Sequence, residues 1–435
     1  MPCDSRRFFE EYFSELERRG IAAVILHSYE DFPGKIGSDV DYAVADRDLP
    51  KIPEVLRAVA DRHGWVVAQT LRHQVFAFYS VVIDPENPRE HLKLDVCSHY
   101  VKDLRFLLRD SILLRGRTPL RGFSIPAPSS EFIYVLAKIF GKNKEPGPFV
   151  ARLRELYGQD PAGAEREFEA LFGATGLTAS EWLERPTGEW ARLDRIMRRR
   201  HRYGPFLLAR EAVRRITRML RPTGLNVALL GSDGTGKTTL LSLLKPLLEP
   251  CFRKQILFHF RPMLLEKPSR GVVTDPHGQP PRHPVACVLK VFYYYLDTLL
   301  GHFVKVLPAK VRSTLVLFDR NFWDLLVDQR RYRLKGTRPL AAFLARLLPS
   351  PDITLVLEGT PETIHLRKPE LGVEELRRQR RELLDLVQRI PRCTSVSADE
   401  PAEKAAGMAA AAVIRALAAR WRPAIRRPVQ NPSAA

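Results

Sequence analysis

Between Val227 and Leu244 the chain passes from an unbroken apolar run through a glycine-rich loop into an apolar repeat of helical period, an order that few folds accommodate. Val227, Ala228, Leu229 and Leu230 read as a buried strand, and Leu240, Leu241, Leu243 and Leu244 as one face of a helix. Between them lie Gly231, Ser232, Asp233, Gly234, Thr235, Gly236, Lys237, Thr238 and Thr239, matching the pattern of glycine, four residues, then glycine, lysine and serine or threonine. Glycines let backbone N–H groups curl around a phosphate, and the helix N-terminus adds partial positive charge. The loop therefore predicts a nucleoside triphosphate site, with Lys237 reaching the β- and γ-phosphates and Thr238 ligating magnesium. ATP and Mg2+ are the expected cofactors.

The 435 residues suffice for two or three domains, and a hydrophobic fraction of 45% makes them globular. Cys3, Cys97, Cys251, Cys287 and Cys393 are odd in number and widely spaced, which predicts neither a disulfide framework nor a zinc site. A reducing cytoplasm fits. Charged Asp4, Arg6, Arg7, Glu10 and Glu11 open the chain, unlike a signal peptide. The longest apolar stretch, Val285 to Pro308, carries Lys290, Asp297, His302 and Lys305, and so predicts a buried or groove-lining helix rather than a membrane span.

The net charge of +19 is unevenly distributed: residues 1–100 hold 12 Lys/Arg against 17 Asp/Glu, leaving 57 against 33 for the rest. The densest run lies within 195–221, where Arg210, Arg214, Arg215 and Arg218 alternate with Phe206, Leu207, Val213, Ile216 and Leu220. An interdomain helix with its arginines in water is expected, and contact with a membrane surface is the competing reading. No recognition motif accompanies the charge, so nucleic acid is not an expected partner. Self-association is compatible with the sequence.

Near the N-terminus a helix around Phe8 to Arg19 and a strand at Ala22 to Leu26 precede Gly37-Ser38-Asp39-Val40-Asp41. Strand alternation puts Asp39 and Asp41 on one face, and Asp95 sits in a second alternating run, Leu92 to Val96. Three such acids can hold two magnesium ions around a triphosphate. This arrangement resembles the minimal nucleotidyltransferase superfamily, in which a glycine-serine pair precedes an Asp-x-Asp strand by about a dozen residues. Ser28 holds the serine place, while His27 replaces the family glycine. The resemblance implies an α+β domain over 1–140 with Asp39, Asp41 and Asp95 as metal ligands. Residues 141–222 read as a helical extension and basic connector, in pieces near 148–158, 163–172, 178–184 and 188–200. An earlier helix, capped by Ser129 or Ser130, runs to Gly141.

From Leu225 onward the chain resembles thymidylate-kinase-like P-loop kinases. Asp233 lies where those kinases direct an aspartate toward an acceptor hydroxyl. Leu315 to Phe318 ends in Asp319-Arg320, like the family's Asp-Arg signature, which implies that Asp319 organises magnesium and Arg320 clamps phosphate. Pro361 to Arg367 resembles the helix that delivers a lid arginine. A loop carrying Gly234 belongs to the type that takes its catalytic cation from the lid, which makes Arg367 the leading candidate, with Arg377 and Arg380 behind it. Arg261, in His259-Phe260-Arg261-Pro262, is a candidate for the acceptor phosphate. The resemblance thus implies an α/β domain with a parallel sheet over 223–422, followed by a basic tail over 423–435. The expected activity is transfer of the ATP γ-phosphoryl group to a nucleoside monophosphate or similar small phosphorylated acceptor. A nucleotidyltransferase built on the N-terminal acids, coupled or with the kinase-like domain as accessory, is the alternative.

Overall fold

The computed structural model describes residues 5–34, 38–264 and 280–420. The chain divides into two units, Met1–Ile83 with Glu90–Thr217, and Asp84–Arg89 with Arg218–Ala435. In the first, α1 (Ser5–Arg18) buries Phe8, Phe9, Tyr12, Phe13 and Leu16, a stripe of helical spacing. The stripe shares one core with β1 (Ala23–Ile25), β2 (Val40–Val44), α2 (Ile52–Arg62), β3 (Val66–Gln74) and β5 (His91–Cys97). With β4 (Ala77–Ile83) these strands form a mixed sheet in the order β1-β2-β5-β4-β3. Only β2 and β5 pair in parallel, with Asp41 opposite Asp95.

Two short ribbons follow, β6 (Tyr100–Lys102) with β7 (Arg105–Leu108), and β8 (Thr118–Leu120) with β9 (Phe123–Ile125), separated by α3 (Asp110–Leu113). Helices α4 (Pro128–Gly141), α5 (Val150–Gln159), α6 (Pro161–Phe172), α7 (Ala179–Glu184) and α8 (Trp190–Arg199) then close a second core around Phe132, Phe140, Phe168 and Trp182. The expected serine cap of α4 is corrected by the structure. Proline at its first position, with its fixed φ, starts the helix after extended Ala127. Ser130 donates instead to the Ile112 carbonyl at 2.8 Å.

Helix α9 (Pro205–Leu220) turns Arg210 and Arg214 inward, against the expected orientation, while Arg215 faces solvent. Its covered side carries Leu207, Arg210, Glu211 and Arg214. Arg214 donates to Glu211 and to the Arg72 carbonyl at 2.9 Å, and the Arg210 guanidinium lies 5.1 Å from the Phe76 ring centre. The opposite side presents Phe206, Val213, Ile216, Met219 and Leu220, with Leu220 78% exposed. Hydrogen bonds and stacking, rather than the apolar stripe, attach this helix.

In the second unit β10 (Leu225–Leu230) is buried at every position, as a central parallel strand requires. It is followed by α10 (Lys237–Leu248), β11 (Lys254–His259), α11 (Pro284–Gly301), α12 (Leu307–Val311), β12 (Thr314–Asp319), α13 (Asp324–Val327), α14 (Arg338–Leu347), β13 (Ile353–Glu358), α15 (Pro361–Arg367), α16 (Val373–Arg389), β14 (Cys393–Ser397) and α17 (Ala402–Ala419). The five strands are all parallel, in the order β11-β12-β10-β13-β14. Because β11 and β12 lie on one side of β10 and β13 and β14 on the other, the strand order reverses direction across β10, and its carboxyl end is the place where open parallel sheets bind ligands. Among the described residues no helix is long and apolar enough to cross a membrane. Cys97, Cys251, Cys287 and Cys393 are free thiols.

Candidate active site

The glycine-rich loop emerges at that end of β10. A Cβ on Gly231 would lie 2.6 Å from the Leu357 carbonyl, so only glycine lets the loop leave β10 this close to β13. Gly234 has φ +88°, and a Cβ there would meet Lys368 and Ile364 at 3.0 and 3.2 Å. The end of α15 therefore rests directly on the loop. Lys237 starts α10 and turns back, its Nζ donating to the Gly231 and Ser232 carbonyls at 2.9 and 2.7 Å. Burial, and next the neighbouring Arg320, push its pKa down to about 7, so the structure gives this ammonium less negative charge than it can use. Thr235 closes the loop through its hydroxyl on the Ser232 carbonyl at 2.9 Å, and Thr238 and Thr239 are exposed on the first turn of α10.

Asp319 ends β12 beside Leu229 of β10. One carboxylate oxygen faces His259 Nδ1 at 3.3 Å, and the other, Oδ1, is buried without a hydrogen-bond partner. Next in the chain, Arg320 adopts φ +71°, a conformation costly for any residue but glycine. Its N–H reaches the Leu229 carbonyl at 2.8 Å, and its guanidinium turns back over the loop. Nη1 donates to both Asp324 oxygens at 3.1 and 3.0 Å, and Nη2 makes a close ion pair with Asp233. Burial works against its charge, but Asp324, Tyr332 and Asp233 hold it firmly protonated.

The structure thus brings together Gly231 to Thr239, Asp319 and Arg320. Arg367 is not directed at the loop: it donates to the Ala398 carbonyl at 2.9 Å beyond β14. Arg377 pairs with Glu362 and Glu374, and Arg380 with Glu358. Arg261 is buried in an ion pair with Asp297 at 2.8 Å, with its guanidinium over Tyr293 and Tyr294. Sequence reasoning missed Asp324, Arg331 and Tyr332. Asp324 stands four residues after Arg320, but the chain between them is not helical, so the spacing alone gave no signal.

In the first unit, Asp39, Asp41 and Asp95 converge, with ligand atoms all within 4.8 Å. Their mutual repulsion is visible in Asp95, which burial and then Asp41 and Asp39 lift to about 8. Asp41 stays below the usual carboxylate range although burial opposes it, because His27 and Lys138 face it. His27 Nε2 has the Asp41 carboxylate at 2.6 Å and Lys138 Nζ at 2.7 Å. Ser28, at φ +58°, has its hydroxyl 3.0 Å from His27 Nδ1, and Ser38 donates to Asp39 at 2.5 Å. Gly37 lies outside the described residues.

A glycine-rich loop between a buried strand and a helix, with an Asp-Arg pair at the end of the adjacent strand, is the arrangement against which known proteins are compared. No family model matches the chain. A third of it is 33% identical over 151 residues to a thymidylate kinase of Xanthomonas campestris pv. campestris, and 29% over 157 residues to one of Xanthomonas euvesicatoria. A thymidylate kinase of Xanthomonas oryzae is 28% identical over 155 residues. The chain spans 60% of the length of these relatives. The similarity to these kinases is confined to that third of the chain.

Proposed function

We propose that the second unit is an ATP-dependent kinase that transfers the γ-phosphoryl group to a nucleoside monophosphate or similar small phosphorylated acceptor. The observation that carries this reading is the meeting of the Gly231–Lys237 loop with Asp319 and Arg320 at the carboxyl ends of adjacent parallel strands. Magnesium, when bound, neutralises phosphate charge during such a transfer. The residues fit it: the unpartnered Asp319 Oδ1 and the exposed Thr238 hydroxyl are the oxygens that would hold the ion or its waters. Lys237 exchanges its loop carbonyls for terminal phosphate oxygens, and Arg320 steadies the acceptor phosphate for in-line attack. Lys368, next to Gly234, and Arg367 are the lid cations closest in sequence to the loop contact. The thymidylate kinases among the relatives make thymidine monophosphate the first acceptor to try. Incubation with Mg·ATP and each nucleoside monophosphate should yield ADP in step with acceptor loss; a protein that binds no ATP would remove the reading.

The converging acids of the first unit favour a second reading, nucleotidyl transfer. A divalent cation among them would relieve the repulsion that raises Asp95. Pyrophosphate release is then expected, lost in Asp39→Asn and Asp41→Asn but retained in Lys237→Ala. Pyrophosphate at wild-type rates in both aspartate variants would end this reading.

The apolar side of α9, edged by Arg210 and Arg215, supports contact with an anionic membrane surface. Flotation with phosphatidylserine vesicles should carry the protein at low salt, and Phe206→Glu with Leu220→Glu should stop it. Failure of the wild type to float at low salt would dismiss the contact.

A further inference from the structure

Asp233 is the one loop residue with a carboxylate, and in the structure two arginines already hold it. Arg320 Nη2 takes its Oδ1 and Arg331 Nη1 takes its Oδ2, both in close charge-assisted hydrogen bonds. The arginines come from different elements: Arg320 follows β12, and Arg331 lies in the segment after α13. Arg320 has a side-chain anchor besides Asp233, and Arg331 is fixed at its backbone. Arg320 is anchored by buried Asp324, which also accepts from the Tyr332 hydroxyl at 2.7 Å. The backbone N–H of Arg331 is fixed by the Asp328 carboxylate at 3.1 Å. Arg331 keeps 29% of its side chain exposed, so a ligand can reach it.

Two guanidinia held on separate oxygens of one anion, beside the loop and at the ligand-binding end of the sheet, make a receptor for a larger oxyanion. A carboxylate offers them one negative charge in a plane. A phosphate monoester offers close to two, on three oxygens.

We propose that Arg331, paired with Arg320, binds the phosphate of the acceptor, and that Asp233 holds the two guanidinia in the place that phosphate takes when it binds. This deepens the kinase reading and rests on it. When a phosphate monoester arrives, the guanidinia pass from Asp233 to its oxygens, and the freed carboxylate turns to a hydroxyl of the same molecule. The exchange makes the acceptor class specific. A nucleoside without phosphate leaves both arginines on Asp233 and finds no vacant carboxylate, whereas a phosphate monoester with a nearby hydroxyl satisfies all three side chains.

The test uses full-length protein saturated with magnesium and adenylyl imidodiphosphate, which fills the loop through the γ position, titrated with inorganic phosphate by calorimetry. Arg331→Ala is expected to weaken phosphate binding by about 10- to 100-fold, the range for losing a hydrogen bond between charged groups, while the analogue still binds. Asp233→Asn is expected to strengthen it by removing the competing anion. Equal phosphate affinity in wild type and Arg331→Ala, weaker affinity in Asp233→Asn, or no phosphate binding in Asp233→Asn would each overturn the proposal. Failure of the wild type to bind the analogue is a different result, one that removes the kinase reading and this inference together.

Discussion

Replacing Lys237 by alanine is expected to weaken Mg·ATP binding by at least about 100-fold, since hydrogen bonds between an ammonium and phosphate oxygens contribute roughly 1.5–3 kcal/mol each. The same change should leave the melting temperature unchanged or raise it. In the structure the ammonium donates to the Gly231 and Ser232 carbonyls and has the Asp233 carboxylate 3.9 Å away, yet burial and the neighbouring Arg320 still lower its pKa to about 7. The sign follows from the linkage between protonation and folding. A lysine whose folded pKa lies below its unfolded value costs stability at any pH below the unfolded pKa, and near neutrality alanine removes that cost. Binding and stability thus move in opposite directions, which a merely structural lysine would not produce. Calorimetric titration with Mg·ATP and a thermal melt of the same samples read both. Affinity within threefold of wild type, or a large fall in melting temperature, would contradict the assignment.

The phosphate loop was legible because its chemistry is local: the turn, the helix start and the lysine lie within nine consecutive residues, and glycine is required where Gly231 passes the Leu357 carbonyl. The parallel sheet was legible through the resemblance to P-loop kinases, and its central strand Leu225–Leu230 is buried at every position. Partners set by tertiary placement were not legible. Lys138 reaches His27 across 111 positions, and no short-range pattern joins them. Arg331 carries no short-range sign of a role until the fold lays it against Asp233. Arg261 shows the reverse case, where a residue singled out for phosphate is taken by Asp297. Helix α9 exposes a further limit. Periodicity finds the axis dividing its apolar and basic sides, but which side meets the protein depends on what lies beside it. Here the Arg72 carbonyl and the Phe76 ring select the arginines.

Asp324→Ala should be the most destabilising single change at the kinase-like site. Asp324 is 1% exposed and accepts from Arg320 through both oxygens and from the Tyr332 hydroxyl. Alanine leaves a buried guanidinium whose remaining carboxylate, Asp233, is shared with Arg331, and a buried phenol without its acceptor. Removing one partner of a buried ion pair costs about 3–5 kcal/mol, because the desolvated survivor keeps its charge. For a unit of this size that corresponds to a fall in melting temperature of roughly 6–20 °C. Asp324→Asn, which keeps an acceptor for Tyr332 but not the charge, should fall between. The order wild type, asparagine, alanine in calorimetric unfolding is the diagnostic result. A loss below about 1 kcal/mol in alanine would place Asp324 among surface ion pairs, whose typical contribution is that small. It would also mean that Arg320 is held over the loop by Asp233 alone. Any phosphate displacing Asp233 would then release Arg320 instead of capturing it, so the stability of this buried pair decides whether the two-arginine cradle can change anions without coming apart.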